Sequence, residues 1–110
     1  MKLQKLARTI RSKNAGSFMI TVEIIFDRKD LYGAIKDNNL ISADTIAKAY
    51  GVPSEEIIDF VYYDPGLGIK ANFKRTIPSG GPFESDVYGC QQYAPLLDLE
   101  MPDEYFKGIY

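Results

Sequence analysis

The chain has 110 residues, 45% hydrophobic and 25% charged, with a formal net charge of −2 at pH 7. This composition is typical of one globular domain and argues against a disordered or membrane-spanning chain. A net charge this small also argues against a sequence-independent nucleic-acid binder, because that affinity depends on many phosphate contacts.

The first predicted strand follows a polar turn. Residues 3–10 fit a helix and a strand equally well, so both readings stay open. The segment from Arg11 to Gly16 ends in Asn-Ala-Gly, a composition typical of a turn. From Ser17 to Phe26 apolar residues alternate along the chain, which predicts a strand in the middle of a sheet.

Two helices and a hairpin are predicted next. Asp27 can cap one helix, and Ser42 opens a second helix that Gly51 ends. The apolar run 57–63, a turn rich in glycine and the alternating run 69–73 then predict a β-hairpin.

The C-terminal third combines a long loop, a strand and a tail. The irregular stretch 76–95 is too long for a simple connector, and its aromatic content favours an ordered loop. The apolar run 96–101 predicts a last strand. The tail, residues 102–110, is rich in aromatic residues and either folds back over its own domain or docks on another chain.

Together these elements predict an α+β domain over residues 1–101, a ferredoxin-like sandwich. It has one sheet of about four strands, with the helices of residues 28–50 on one face. A long ordered loop stands where the ferredoxin pattern requires a second crossover helix. An exposed sheet edge or the aromatic tail is then expected to support a homo-oligomer.

The residue inventory argues against a self-sufficient enzyme. The chain contains no histidine, which removes the usual nucleophile pairs and the usual zinc ligands. A glycine-rich nucleotide fingerprint is absent from the sequence as well. We therefore expect no cofactor, no metal, and neither nucleic acid nor a membrane as a partner.

Cysteine usage indicates the compartment. Cys90 is the single cysteine, so an internal disulfide cannot form, which favours a reducing environment. The basic N-terminal residues lack the apolar core and cleavage site of a secretory signal. The expected location is the cytoplasm, with Cys90 as a packing residue.

A first candidate site lies in the predicted turn before the central strand. Backbone N–H groups of such a turn can converge on a carboxylate or phosphate, to which basic side chains add charge. The alternative is a plain polar turn with surface charges. The residues proposed for ligand or partner binding are Arg11, Ser12, Lys13, Asn14 and Gly16.

A second candidate site lies in the long loop. Its polar groups are costly to bury unsatisfied, so they bond to backbone, to a ligand or to a partner. We expect this loop to lie against the turn, so that the two segments form one site. Its proposed binding residues are Ser79, Gly80, Asp86, Tyr88, Gln91 and Gln92.

Several segments carry a family resemblance. Residues 10–16, the segment 78–80 and above all the stretch 86–100, DVYGCQQYAPLLDLE, resemble the bacterial domain of unknown function 4387 family. The resemblance covers nearly all of residues 3–101. Members usually carry histidine and alanine where this chain has Tyr93 and Cys90 respectively.

The resemblance implies a partner. Such proteins occur alone or joined to large AtuA-type proteins, named after acyclic terpene utilisation, which implies a two-component system acting on organic acids or acyl thioesters. This chain would be its small, accessory subunit. The alternatives are a stand-alone binder of a small carboxylate or acyl-CoA, and an enzyme that uses Lys13, Asp86 and Tyr88 as acid–base groups.

Overall fold

A computed structural model of the chain describes residues 1–16, 19–74 and 94–109, without the side chains of residues 14–16 and 94–95. Short 3₁₀ turns lie at Ser54–Glu56, Asp64–Gly66 and Asp103–Tyr105. The helices and strands in chain order are α1 (Leu3–Leu6), β1 (Thr9–Gly16), β2 (Met19–Ile25), α2 (Lys29–Asp37), α3 (Ala43–Tyr50), β3 (Ile57–Tyr63), β4 (Gly68–Lys74) and α4 (Ala94–Leu97).

The described strands form one antiparallel sheet in the order β1-β2-β4-β3. Two hairpins, β1–β2 and β3–β4, are joined by the helices α2 and α3. The structure confirms three predictions: the α+β class, the interior strand within 17–26 and the hairpin of residues 57–73. The ferredoxin-like arrangement is not confirmed, and the loop predicted at 76–95 lies almost entirely outside the described residues.

One face of the sheet packs on the helices. Every second side chain of β2 and β4 is buried, and these side chains share a core with α2 and α3. The alternation follows from the two-residue period of a strand, which turns successive side chains to opposite faces. The buried sheet residues are Ile20, Val22, Ile24, Ile69, Ala71 and Phe73.

The ends of α3 are those that the sequence predicts. The Ser42 hydroxyl accepts a hydrogen bond from the Thr45 backbone N–H, and Gly51 adopts the left-handed conformation with φ 67°. The cap predicted at Asp27 is wrong, because α2 begins at Lys29 after Arg28. There the Asp30 carboxylate accepts from the Leu31 N–H instead, at 2.8 Å.

Two predictions of local structure are wrong. Arg11 to Gly16 is not a turn but part of β1, because pairing with β2 from Thr9 onward supplies partners that outweigh the turn composition. Residues 96–101 are not a strand, since α4 ends at Leu97 and Glu100 forms only an isolated bridge to Lys2. The open segment 3–10 contains both structures, first α1 and then the start of β1.

The first and last described segments lie against each other. The Leu3 N–H donates to the Leu99 carbonyl, and the Met101 N–H donates to the Met1 carbonyl, both at 2.8 Å. Further along, Phe106 is 2% exposed and Ile109 packs against the same core. Of the two alternatives for the tail, the described residues therefore show the tail folded back on its own domain.

Within the described part of the chain, no helix is long and apolar enough to cross a membrane.

Candidate functional site

The face of the sheet opposite the helices, here called the open face, carries two rows of mostly polar side chains. The strand register places Arg11, Glu23, Lys70 and Val61 side by side across the four strands. One step along, the same register aligns Lys13, Thr21, Asn72 and Asp59. Antiparallel sheets often present one such face to solvent or to a partner.

The first row contains an ion pair. The Arg11 guanidinium donates to the Glu23 carboxylate at 2.9 Å, and the Arg11 side chain stays largely exposed. An exposed pair of this kind contributes little to stability, but its two opposite charges neutralise each other. From the sequence, Arg11 is predicted to bind an anionic ligand. In the structure its guanidinium instead contacts a carboxylate of its own chain.

The second row is a chain of hydrogen bonds. The Thr21 hydroxyl donates to the Asn72 side-chain oxygen at 2.6 Å, and the Asn72 amide donates to the Asp59 carboxylate at 3.1 Å. Thr21 is only 3% exposed, so its hydroxyl requires such a partner. These bonds connect β2, β4 and β3 and favour one register of the sheet.

Three of the predicted site residues lie together. Arg11, Ser12 and Lys13 line one pocket of about 300 Å³ with Thr21 and Glu23. Ser12 is buried, whereas Arg11 and Lys13 are exposed on the open face.

The other predicted site residues lie at the end of β1 or outside the described residues. Asn14 and Gly16 lie at the end of β1, opposite Ile20 and Met19, with a register irregularity between them. The loop residues of the second candidate site lie outside the described residues, so the joint site of loop and β1 stays a prediction. Those loop residues are Ser79, Gly80, Asp86, Tyr88, Gln91 and Gln92.

An apolar patch lies at the β3 side of the open face. Ile25, Val61 and Tyr63, here called the open-face patch, line a pocket of about 440 Å³ with Gly66 and Gly68. Val61 is 47% exposed and Tyr63 is 59% exposed. Large exposed apolar groups that lie together are typical of interaction surfaces. The signal in the sequence is that residues 57–63 are apolar on both faces of the strand.

A polar cluster that the sequence analysis missed joins α2 to the β3–β4 turn. The Asp64 carboxylate accepts from the Tyr32 hydroxyl at 2.6 Å and from the Lys36 ammonium at 2.7 Å. These hydrogen bonds, Lys36 first and then Tyr32, hold the pKa of the Asp64 carboxyl below its ordinary value. Burial and the hydrogen bond to Asp64 raise the pKa of the Tyr32 phenol. At neutral pH the cluster is thus a fixed donor–acceptor set that anchors the turn.

This cluster gives a testable pH dependence. A carboxyl with a depressed folded-state pKa stabilises the fold above its unfolded pKa of about 3.9, and that stability is lost as the pH falls through the folded value. We expect Asp64→Asn to lower the Tm at pH 7, and the difference from the wild type to shrink below about pH 4. Thermal unfolding followed by circular dichroism between about pH 2.5 and pH 7 measures this. Asp37→Asn, at the exposed end of α2, is the matched control, and a difference that stays constant with pH would contradict the assignment.

In the described ranges, no group of three or more His, Cys, Asp or Glu side chains is arranged to hold a metal ion.

Comparison with known proteins gives a match to a protein family. The family model for a domain of unknown function, DUF4387, matches residues 3–100. Neither the search of curated proteins nor the search of solved structures found a match. The matched residues include the whole described sheet and the β1 segment that lines the 300 Å³ pocket.

Proposed function

The chain belongs to the DUF4387 family, and on that basis we propose that it is a cytoplasmic accessory subunit of a larger AtuA-type protein acting on organic acids or acyl thioesters. In this proposal the chain contributes a binding surface and the larger protein contributes the chemistry. The observation that carries the proposal is the open face of the sheet.

The open-face patch has the character of a docking surface. Aromatic side chains at the centre of an interface account for much of its affinity, and polar side chains at its rim fix orientation. Tyr63 supplies an exposed aromatic ring beside Val61, and the charged row of Glu23 and Lys70 borders the same pocket. This arrangement fits a protein surface with an apolar centre and complementary charges.

The polar groups of the open face favour contact over catalysis. Arg11 and Glu23 neutralise each other, and Asp59 accepts a hydrogen bond from Asn72. The sequence has no histidine to act as a general base near neutral pH. An accessory role needs no such base, since the active site lies on the partner.

Co-purification tests the proposal. We expect the tagged chain to retain an AtuA-type protein encoded beside it, and the acyl-thioester or organic-acid activity to require both components. Tyr63→Ser should weaken binding about tenfold or more, as for other aromatic interface residues. The matched control is Tyr105→Ser, an exposed tyrosine of the tail outside the sheet, which should leave binding unchanged. No retention, or equal effects of the two substitutions, would contradict docking through the open face.

The pocket beside β1 favours a second candidate function, a stand-alone binder of a small carboxylate or acyl-CoA. Lys13 lines this pocket, and its ammonium can pair with a carboxylate or phosphate. Calorimetric titration of the chain alone with a short-chain acyl-CoA distinguishes the two functions. Saturable binding that Lys13→Gln abolishes would support the second candidate, and absence of binding would favour the accessory role.

A further inference from the structure

Strand β3 is an edge strand with few of the features that prevent an edge from pairing with a strand of another chain. Among the described residues it pairs with β4 alone. Its sequence, IIDFVYY, contains one charged residue, Asp59, and neither lysine nor proline. Natural edge strands usually carry lysine, proline or bulges that prevent pairing with another chain, and β3 has only a register irregularity near its start, between Ile57 and Asp59. An apolar edge of this length therefore fits an additional strand.

We propose that the additional strand is β3 of a second copy, paired antiparallel about a two-fold axis at Val61. A register irregularity lies between Ile57 and Asp59, and the 3₁₀ turn begins at Asp64. The regular run between these two features is residues 59–63, and its middle residue is Val61. A two-fold axis there pairs the whole regular run with itself.

This register is self-complementary in its side chains. On the open face Val61 lies opposite Val61 of the second copy, and Asp59 lies opposite Tyr63 of the second copy, whose phenol can donate to the carboxylate. On the helix face Phe60 lies opposite Tyr62 of the second copy. These two rings already form an edge-to-face pair within one chain, with centroids 5.6 Å apart.

Charge and chain geometry disfavour the neighbouring registers. A two-fold axis at Phe60 would place the Asp59 carboxylate opposite the apolar Val61 and extend the pairing into the irregularity at Ile57. An axis at Tyr62 would extend the pairing into the turn at Asp64. The register at Val61 keeps the two Asp59 carboxylates four residues away from direct opposition, about 13 Å at roughly 3.3 Å per residue, whereas an axis at Phe60 would halve that separation.

The resulting dimer has a continuous sheet of twice the width. Antiparallel pairing about an axis perpendicular to the sheet keeps the helices of both copies on one side. The two open faces then lie side by side, and Val61 and Tyr63 of both copies meet near the axis. This inference does not depend on the proposed function, because the open faces remain available to another protein.

Cross-linking tests the register directly. Residues opposite each other on paired antiparallel strands have Cα atoms about 4.5–5.5 Å apart, which is within the range that a disulfide spans. In a Cys90→Ser background, Val61→Cys should form a covalent dimer on mild oxidation. Ile58→Cys is the matched control, because Ile58 is also exposed on β3 but its two copies would lie about 20 Å apart. Cross-linking of both variants to the same extent, or of neither, would overturn the register.

A charge pair provides an independent readout that does not require oxidation. Sedimentation equilibrium should show a wild-type dimer. Tyr63→Asp places a second carboxylate opposite Asp59 of the other copy and should weaken the dimer at least tenfold more than Tyr63→Lys, which places an ammonium there. Both variants remove the same ring, so a nonspecific apolar contact would be weakened equally by both, and that result would overturn the proposal. A wild-type chain that is strictly monomeric at about millimolar concentration would also overturn it.

One further variant separates this proposal from the proposed function. Ile25 lies on β2 in the interior of the sheet, away from the β3 edge. Ile25→Lys should therefore impair binding of the AtuA-type protein and leave the dimer intact. The Val61→Cys cross-link should form in this variant as it does without the change, and its loss would contradict pairing at the edge.

Discussion

Phe106→Ala is expected to lower the free energy of unfolding by about 3–5 kcal/mol, the usual effect of truncating a buried aromatic ring. Phe106 belongs to the tail beyond the last helix, yet its ring lies in the same core as the sheet and helices. Removing the ring leaves a cavity that the packed neighbours fill only in part. Urea unfolding at one fixed protein concentration measures the change.

Tyr105→Ala is the matched control for this prediction. It removes an aromatic side chain from the neighbouring position, but Tyr105 is 38% exposed and lies outside the core. We expect a change within about 0.5 kcal/mol. If Phe106→Ala were as mild as Tyr105→Ala, the tail would not be part of the folded domain.

Much of the fold was predictable because local patterns and tertiary packing agree. The alternation in residues 17–26 predicts a strand with one buried face, and the sheet uses that face for its core. The caps at Ser42 and Gly51 set the ends of α3 with local hydrogen bonds alone. In such segments the local preference and the global fold favour the same structure.

The wrong predictions fall where tertiary contacts outweigh local composition. Residues 11–16 have the composition of a turn, but pairing with β2 converts them to strand. Leu96 and Leu97 lie in the helix α4 although the run 96–101 predicts a strand, since a short apolar run does not distinguish the two. Contacts with distant residues decide both cases.

The candidate site was less predictable because its parts are distant in the sequence. Tyr32 and Asp64 are far apart in the chain, and only the packing of α2 against the β3–β4 turn brings them together. The row Thr21–Asn72–Asp59 likewise requires the register of three strands. The sequence placed Arg11 and Lys13 in a shared site, but it could not show that Glu23 lies beside them.

Both proposals use the same asymmetry of the sheet. One face is committed to the core, whereas the open face and the β3 edge present side chains that the described helices do not cover. Proteins rarely expose an apolar patch beside an unprotected strand edge unless another surface contacts them. Docking of a larger partner on the face and pairing of two copies at the edge leave neither surface exposed.

Two neighbouring isoleucines test this asymmetry. Ile24 and Ile25 are neighbours on β2 and have the same type of side chain. Ile24 is buried in the core, whereas Ile25 is part of the open-face patch. Ile24→Ala should therefore lower the free energy of unfolding by about 2–5 kcal/mol through loss of buried surface and formation of a cavity. Ile25→Ala should cost about 1 kcal/mol or less, because its side chain contacts fewer core atoms.

Urea unfolding measures the free energy of unfolding of both variants. Each variant is unfolded alone and with the proposed AtuA-type partner present. In the isolated chain only Ile24→Ala should be strongly destabilising. A bound partner stabilises the folded state according to its affinity, so loss of this added stability in Ile25→Ala would support docking on the open face. Equal destabilisation by the two substitutions in the isolated chain would contradict the proposal, because it would mean that the chain itself buries both faces of β2.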